Sequence, residues 1–162
     1  MDMRGFTAKR VGASLGALVL AGAGLGTASA AGQTEQAGVL LVSKMSNQCL
    51  EVRGGNLGDG GAVAMWSCTG NPNQRWSRSG LDYRNDNSGK CLDVNDGNGA
   101  TGAGLNQWVC HGGSPQQWTF HGSELRNANN LCLTIPAGNR YNGAAVVMWE
   151  CVGGADQQWQ IG

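Results

Sequence analysis

The run CLEVRGGNLGDGGAVAMWSCTGNPNQRW, Cys49 to Trp76, returns twice further along the chain. Its second version is CLDVNDGNGATGAGLNQWVCHGGSPQQW, Cys91 to Trp118, and its third is CLTIPAGNRYNGAAVVMWECVGGADQQW, Cys132 to Trp159. First cysteines lie 42 and then 41 residues apart, the two cysteines of each copy are 19 apart, and the Gln of a Gln-x-Trp follows the second cysteine by six. Chance does not produce this spacing. A unit repeated at such a period buries its apolar side only by packing with its siblings.

Upstream of the repeats, Arg4, Lys9 and Arg10 open a short basic segment, Val11 to Gly26 is apolar, and Ala28-Ser29-Ala30 has the A-x-A form of a cleavage site. Residues 1–30 therefore read as a secretory signal peptide cut near Ala30/Ala31, residues 31–38 as a short polar lead-in, and residues 39–162 as one domain. The apolar run is short for a membrane span, which needs about 20 residues. The expected destination is extracellular, with no membrane insertion.

Export changes the meaning of the six cysteines. In a secreted chain they form a disulfide framework, and the repeat favours Cys49–Cys68, Cys91–Cys110 and Cys132–Cys151. Each bridge would contribute roughly 3 kcal/mol by closing its loop. Metal is not expected, because no C-x-x-C pair or H-x-x-x-H pattern occurs. The mature chain carries eight Lys/Arg against ten Asp/Glu, dispersed along the sequence. That balance offers no electrostatic footprint for nucleic acid or an anionic membrane.

Within each copy, short alternating runs (Leu50 to Arg53, Ala62 to Cys68, Arg75 to Arg78) are separated by Gly and Asn, and a further apolar run spans Val39 to Ser43. The pattern predicts an all-β domain with about four short strands per copy and no sustained helix. Turns are expected at Gly55-Asn56, Gly97-Asn98 and Gly138-Asn139, and at Gly60, Gly102 and Gly143. Periodicity alone leaves a trefoil, a small propeller and a solenoid stub open, although three propeller blades would underfill their centre.

Alternation sorts side chains onto two faces. Leu50 and Val52 share one face, Cys49 and Glu51 the other; Val63 and Met65 oppose Ala64, Trp66 and Cys68. The expected bridge thus joins outward positions and brings Glu51 beside Trp66 on the surface. Asp93 pairs likewise with Trp108, and Thr134 with Trp149. A planar ring beside a carboxylate suits a neutral sugar, whose apolar face stacks while its hydroxyls donate to the acid. Trp66, Trp108 and Trp149 lying across their disulfides is the other reading of these rings. Trp76, Trp118 and Trp159 read as core, and Gln74, Gln116 and Gln157 as groups that bond backbone or orient the acid.

The Cys-Leu-Asp-Val start, the Gly-Asn turn, the Trp-x-Cys close and the Gln-x-Trp end resemble the ricin-B-type β-trefoil lectins, or family 13 carbohydrate-binding modules. The resemblance covers nearly all of the expected mature chain. It implies a β-trefoil with pseudo-threefold symmetry. It also implies a shallow sugar pocket in each copy, lined by an Asp two residues after the first cysteine, an aromatic two before the second, a polar residue four before it, and an Asn ahead of the Gln.

On that pattern the second copy offers Asp93, Asn106, Trp108 and Gln116, with Pro115 where Asn is usual. The first offers Glu51, Trp66, Asn73 and Gln74, with Ala64 at the polar position. The third offers Trp149, Asp156 and Gln157, with Thr134 and Val147 at the acid and polar positions. The second copy ranks first, the first copy next, and the third reads as degenerate, with Asp156 a carboxylate from the other side.

The expected function is a monomeric secreted lectin for neutral glycans, such as galactosides or xylan, acting without a cofactor or catalysis. His111 and His121 have no nucleophile pattern beside them, and Glu51 and Asp93 stand in different copies. A protein-binding trefoil, for instance a secreted hydrolase inhibitor, is the alternative.

Overall fold

The computed structural model describes residues 37–162. The expected leader over residues 1–30, and all of the lead-in but its last two residues, lie outside them. The predicted run at Val39 to Ser43 is β1 (Val39–Ser43). In the first copy β2 (Gln48–Val52), β3 (Gly61–Ser67) and β4 (Arg75–Ser79) fall on the three alternating runs. The rest follow as β5 (Asp82–Asn85), β6 (Cys91–Val94), β7 (Leu105–Trp108), β8 (Trp118–His121), β9 (Glu124–Asn127), β10 (Cys132–Thr134), β11 (Val147–Trp149) and β12 (Trp159–Ile161). Helical structure among the described residues is confined to three-residue 3-10 turns, and none of it is long and apolar enough to cross a membrane.

All strand pairing is antiparallel, and it repeats. Each copy closes its two cysteine-bearing segments into a hairpin: Cys49 opposite Trp66, Cys91 opposite Trp108, Cys132 opposite Trp149. The Gln-x-Trp strands join a barrel layer that runs on into the hairpins through β1–β2, β5–β6 and β9–β10. There β1 pairs with β4 and β12, β4 with β5 and β8 with β9. Single backbone bonds, Trp118 N–H to the Leu81 carbonyl (2.9 Å) and Trp159 N–H to that of Ser123 (2.7 Å), link the copies in this layer. A barrel capped by three hairpins around a pseudo-threefold axis is the β-trefoil.

The core sits on that axis and is built from equivalent residues. Trp76, Trp118 and Trp159 are buried among Leu50, Leu92 and Leu133, with Met65 and Met148 at matching positions. Each indole N–H donates to a leucine carbonyl of its own copy: Trp76 to Leu50 (3.0 Å), Trp118 to Leu92 (3.0 Å), Trp159 to Leu133 (2.8 Å). Burying an indole without a partner for its N–H would be costly, and the bond removes that cost.

The three disulfides connect Cys49–Cys68, Cys91–Cys110 and Cys132–Cys151, as the repeat predicts. One detail differs. Cys49, Cys91 and Cys132 are fully buried, so each bridge runs from the interior to the surface instead of joining two outward positions. The Gln-x-Trp turn roofs that face of the strand. The Gly-Asn turns also differ in their inner workings. Gly55, Gly97 and Gly138 adopt positive φ, but so do the residues before them, Gly54 (60°), Asp96 (55°) and Ala137 (54°). The asparagines instead accept from the backbone two residues on through Oδ1: Asn56 from Gly58, Asn98 from Ala100, Asn139 from Tyr141.

Ala137 carries a β-carbon into the left-handed region, where an L-residue is strained by about 1 kcal/mol or more; the first copy places Gly54 at the same point. Ala137→Gly should raise unfolding stability by about 1 kcal/mol and Gly54→Ala should lower it by a similar amount, measured by urea denaturation of the purified domain.

Candidate functional site

Each copy builds its candidate pocket from three pieces: the acid position on the first hairpin strand, the tryptophan on the second, and the turn carrying the Gln. The glutamines of these turns, Gln74, Gln116 and Gln157, are fully buried. Their carbonyls accept the N–H of Thr69, His111 and Val152, and their amides donate to the carbonyls of Ser67, Val109 and Glu150. These bonds match the reading of the three glutamines as groups that bond backbone or orient the acid, and their complete burial leaves them inside the pocket wall and not on its surface. Their remaining capacity holds the acid position: Gln74 Nε2 donates to Glu51 (3.0 Å) and Gln157 Nε2 to the Thr134 hydroxyl (3.0 Å).

That arrangement also corrects the expected exposure of the acids. Glu51, Asp93 and Thr134 lie buried under the Gln-x-Trp turn, not on open surface. The rings opposite them remain available: Trp66 is 38% exposed, Trp108 42% and Trp149 47%. Each ring edge rests on a glycine turn contributed by another copy. A β-carbon on Gly60 would lie 3.7 Å from Trp108 Cζ3, one on Gly102 3.8 Å from Trp149, and one on Gly143 3.8 Å from Trp66. All three glycines have positive φ. Their N–H groups donate to the residue before the tryptophan: Gly60 to the Gln107 carbonyl (2.9 Å), Gly102 to Met148 (2.7 Å), Gly143 to Met65 (2.7 Å). Each tryptophan is therefore fixed by its neighbour.

The second copy's pocket is more polar than the third's. A cavity of about 210 Å³ is lined by Asp93, Asn106, Trp108 and Pro115, the residues singled out from the sequence, together with Asp96, Gly97 and His111. Asn106 lines the cavity, but its Oδ1 atom is buried without a partner, so a ligand would meet this acceptor only after the amide turns toward the cavity. His111 was not expected. Its Nδ1 accepts from Gly113 N–H (3.0 Å), which leaves the ring proton on Nε2, facing the Asp93 carboxylate at 3.6 Å. Position after the second cysteine is the signal that could have found it, since Thr69, His111 and Val152 are equivalent and only His111 is ionisable. Burial pushes the Asp93 carboxyl above the usual aspartate range, against the pull of the Gln116 amide and of His111.

In the first copy the extra methylene of Glu51 lets its carboxylate reach both Asn73 (3.3 Å) and Gln74 (3.0 Å). The Asn73 amide also donates to the Val52 carbonyl. Two of the expected sugar-binding groups of this copy are thus bonded to each other. In the third copy a cavity of about 280 Å³ is lined by Gly102, Thr134, Pro136, Ala137, Val147, Trp149 and Asp156. It is open despite the loss of the usual acid, and Asp156 does stand on its wall.

Glu124, Cys132 and Cys151 approach one another within 4.8 Å, which suggests a metal by composition alone. The two sulfurs are joined in a disulfide and the carboxylate pairs with Arg126 at 2.6 Å, so this group has no ligand to offer.

Threefold fold, buried Gln-x-Trp and half-exposed ring beside an acid together define a β-trefoil lectin domain. The profile of the ricin-type beta-trefoil lectin domain family matches residues 79–162, and that of the ricin-type beta-trefoil lectin domain-like family matches residues 27–84. The chain belongs to the ricin-type β-trefoil lectin family, and carbohydrate binding is its class of activity. The designed threefold-symmetric protein ThreeFoil is 28% identical, with a TM-score of 0.69 over 76% of this chain and 96% of that one. An exo-β-1,3-galactanase from Clostridium thermocellum is 24% identical, with a TM-score of 0.71 over 79% of this chain but only 30% of the enzyme. The C-half of the earthworm R-type lectin, solved in complex with GalNAc, is 18% identical, with a TM-score of 0.67 over 76% of this chain and 95% of that one. Curated proteins yielded no match.

Ligand affinity at the second pocket should fall on acidification as the raised Asp93 carboxyl takes up a proton, at a higher pH than an ordinary aspartate would dictate. Titration calorimetry across pH should show this loss, and Asp93→Asn should bind weakly with a flatter profile.

Proposed function

We propose that the protein is an exported lectin that holds neutral glycans, such as galactosides or xylan, principally through its second copy and without altering them. One observation carries this reading: the Asp93 carboxylate, the Asn106 amide and the His111 imidazole line one cavity with the half-exposed Trp108 ring. The ring offers a stacking surface for a pyranose face. Asp93 accepts from a sugar hydroxyl with charge assistance, and the Asn106 amide beside it in the cavity turns to pair with a neighbouring hydroxyl. Affinity at one shallow pocket is modest, and a polymer engaging more than one copy gains by effective concentration.

Export rests on the basic, apolar and A-x-A succession of residues 1–30. The non-catalytic part rests on the Gln-anchored acids: Glu51 is bonded to Asn73 and Gln74, and Asp93 lies buried beside Gln116 and His111. Release of reducing sugar from galactan or xylan by the purified protein would overturn that part.

Asp93→Ala should reduce retention on a galactoside or xylan column by about tenfold for loss of one charge-assisted bond, and Trp108→Ala should reduce it through loss of the stacking surface, with far-ultraviolet circular dichroism unchanged in both. Unchanged retention in both variants removes the second copy from the binding surface. A glycan array without signal would favour a protein partner.

A further inference from the structure

The third-copy cavity has a different chemistry from the second. Val147 replaces Asn106 and Thr134 replaces Asp93 at equivalent positions. The Thr134 hydroxyl donates to the Cys132 carbonyl at 2.9 Å and accepts from Gln157 at 3.0 Å, so both of its main bonds stay within the protein. Pro136, Ala137 and Val147 make the rest of the wall apolar beside Trp149. Little is left there to read a sugar's hydroxyl pattern.

One charge remains. Asp156 is the sole ionisable residue lining this cavity, and its carboxylate has no hydrogen-bond or ion-pair partner among the described residues. In the first copy the same position is Asn73, which donates to Glu51; in the second it is Pro115. An unpaired carboxylate beside a half-exposed indole and apolar walls attracts a cation with apolar flanks. The carboxylate provides charge-assisted hydrogen bonds, the ring face adds cation–π attraction, and the apolar wall weakens solvent screening. Arg140, the cation of the adjoining depression that shares Pro136 and Ala137, does not line this cavity.

We propose that the third copy binds amino sugars through their free ammonium group, with Asp156 as the anionic partner and Trp149 as the stacking surface, while the second copy takes uncharged sugars. The assignment rests on the lectin reading above and goes beyond it in ligand class. A cavity of about 280 Å³ is at the small end of ligand sites, suited to a single residue of a glycan.

The test is titration of the exported domain at about pH 6, below the usual pKa of an amine, with three methyl glycosides: a 2-amino-2-deoxyhexose, its N-acetyl derivative and the parent hexose. Binding is followed at the indole N–H resonances of Trp108 and Trp149. The free amine should move the Trp149 resonance with about tenfold higher affinity than either uncharged ligand, as expected for one charge-assisted contact. Added salt should erode that preference. Asp156→Asn, which restores the residue type found at Asn73, should abolish it. Equal affinities at Trp149, or a preference that survives Asp156→Asn, would overturn the proposal. If the parent hexose still moves Trp108 in that case, the lectin reading stands and the amino-sugar assignment alone fails. If no glycoside moves either ring, both fall.

Discussion

The buried indole N–H bonded to a leucine carbonyl 26 residues earlier holds each copy together. It ties the last strand of a copy to its first within the buried core. Because the indole cannot move without losing both its packing and its bond, the turn before it is held as well. That turn carries the Gln, and the Gln braces the end of the second hairpin strand and the acid position. A core interaction thus sets the geometry of a surface pocket through two rigid steps.

Features that repeat were readable from the chain, because identical spacing in three copies reports identical physics. The twelve short strands, the cysteine pairing and the buried Trp76, Trp118 and Trp159 all belong to this group. Strand alternation also placed Glu51 with Trp66 and Asp93 with Trp108 on shared faces. It failed where a second layer covers a strand. Cys49 and Glu51 alternate correctly away from the core, yet a turn more than 20 residues on closes over them. His111, weighed only for catalysis, and Asp96 were not read as pocket residues because each occurs in one copy only. The contacts of Gly60, Gly102 and Gly143 escaped because alternation treats one copy at a time.

The copies differ by small chemical steps with large local effects. One methylene on Glu51 turns a ligand-facing acid into the centre of an internal network. Replacing Asn106 by Val147 and Asp93 by Thr134 removes a carboxylate and an amide from the pocket without closing it, and leaves Asp156 as its one ionisable group. Since core and disulfides are supplied by the repeated residues, these positions vary with little consequence for the scaffold. Binding chemistry and fold are carried by separate sets of side chains.

The glycine turns add a different consequence. Trp108 leans on Gly60, Trp149 on Gly102 and Trp66 on Gly143, and neighbouring side chains reinforce two of these joints. Asp59 accepts from Val109 N–H, and Asn142 from Ser67 N–H. Thr101 occupies the corresponding place in the remaining joint. The three rings therefore rest on the seams of the ring of copies, while the cavities beside Trp108 and Trp149 are lined mainly by their own copies. A copy transplanted into another trefoil would keep the residues that line its cavity but leave behind the glycine turn on which its tryptophan rests, and would lend its own turn to a tryptophan it never faced.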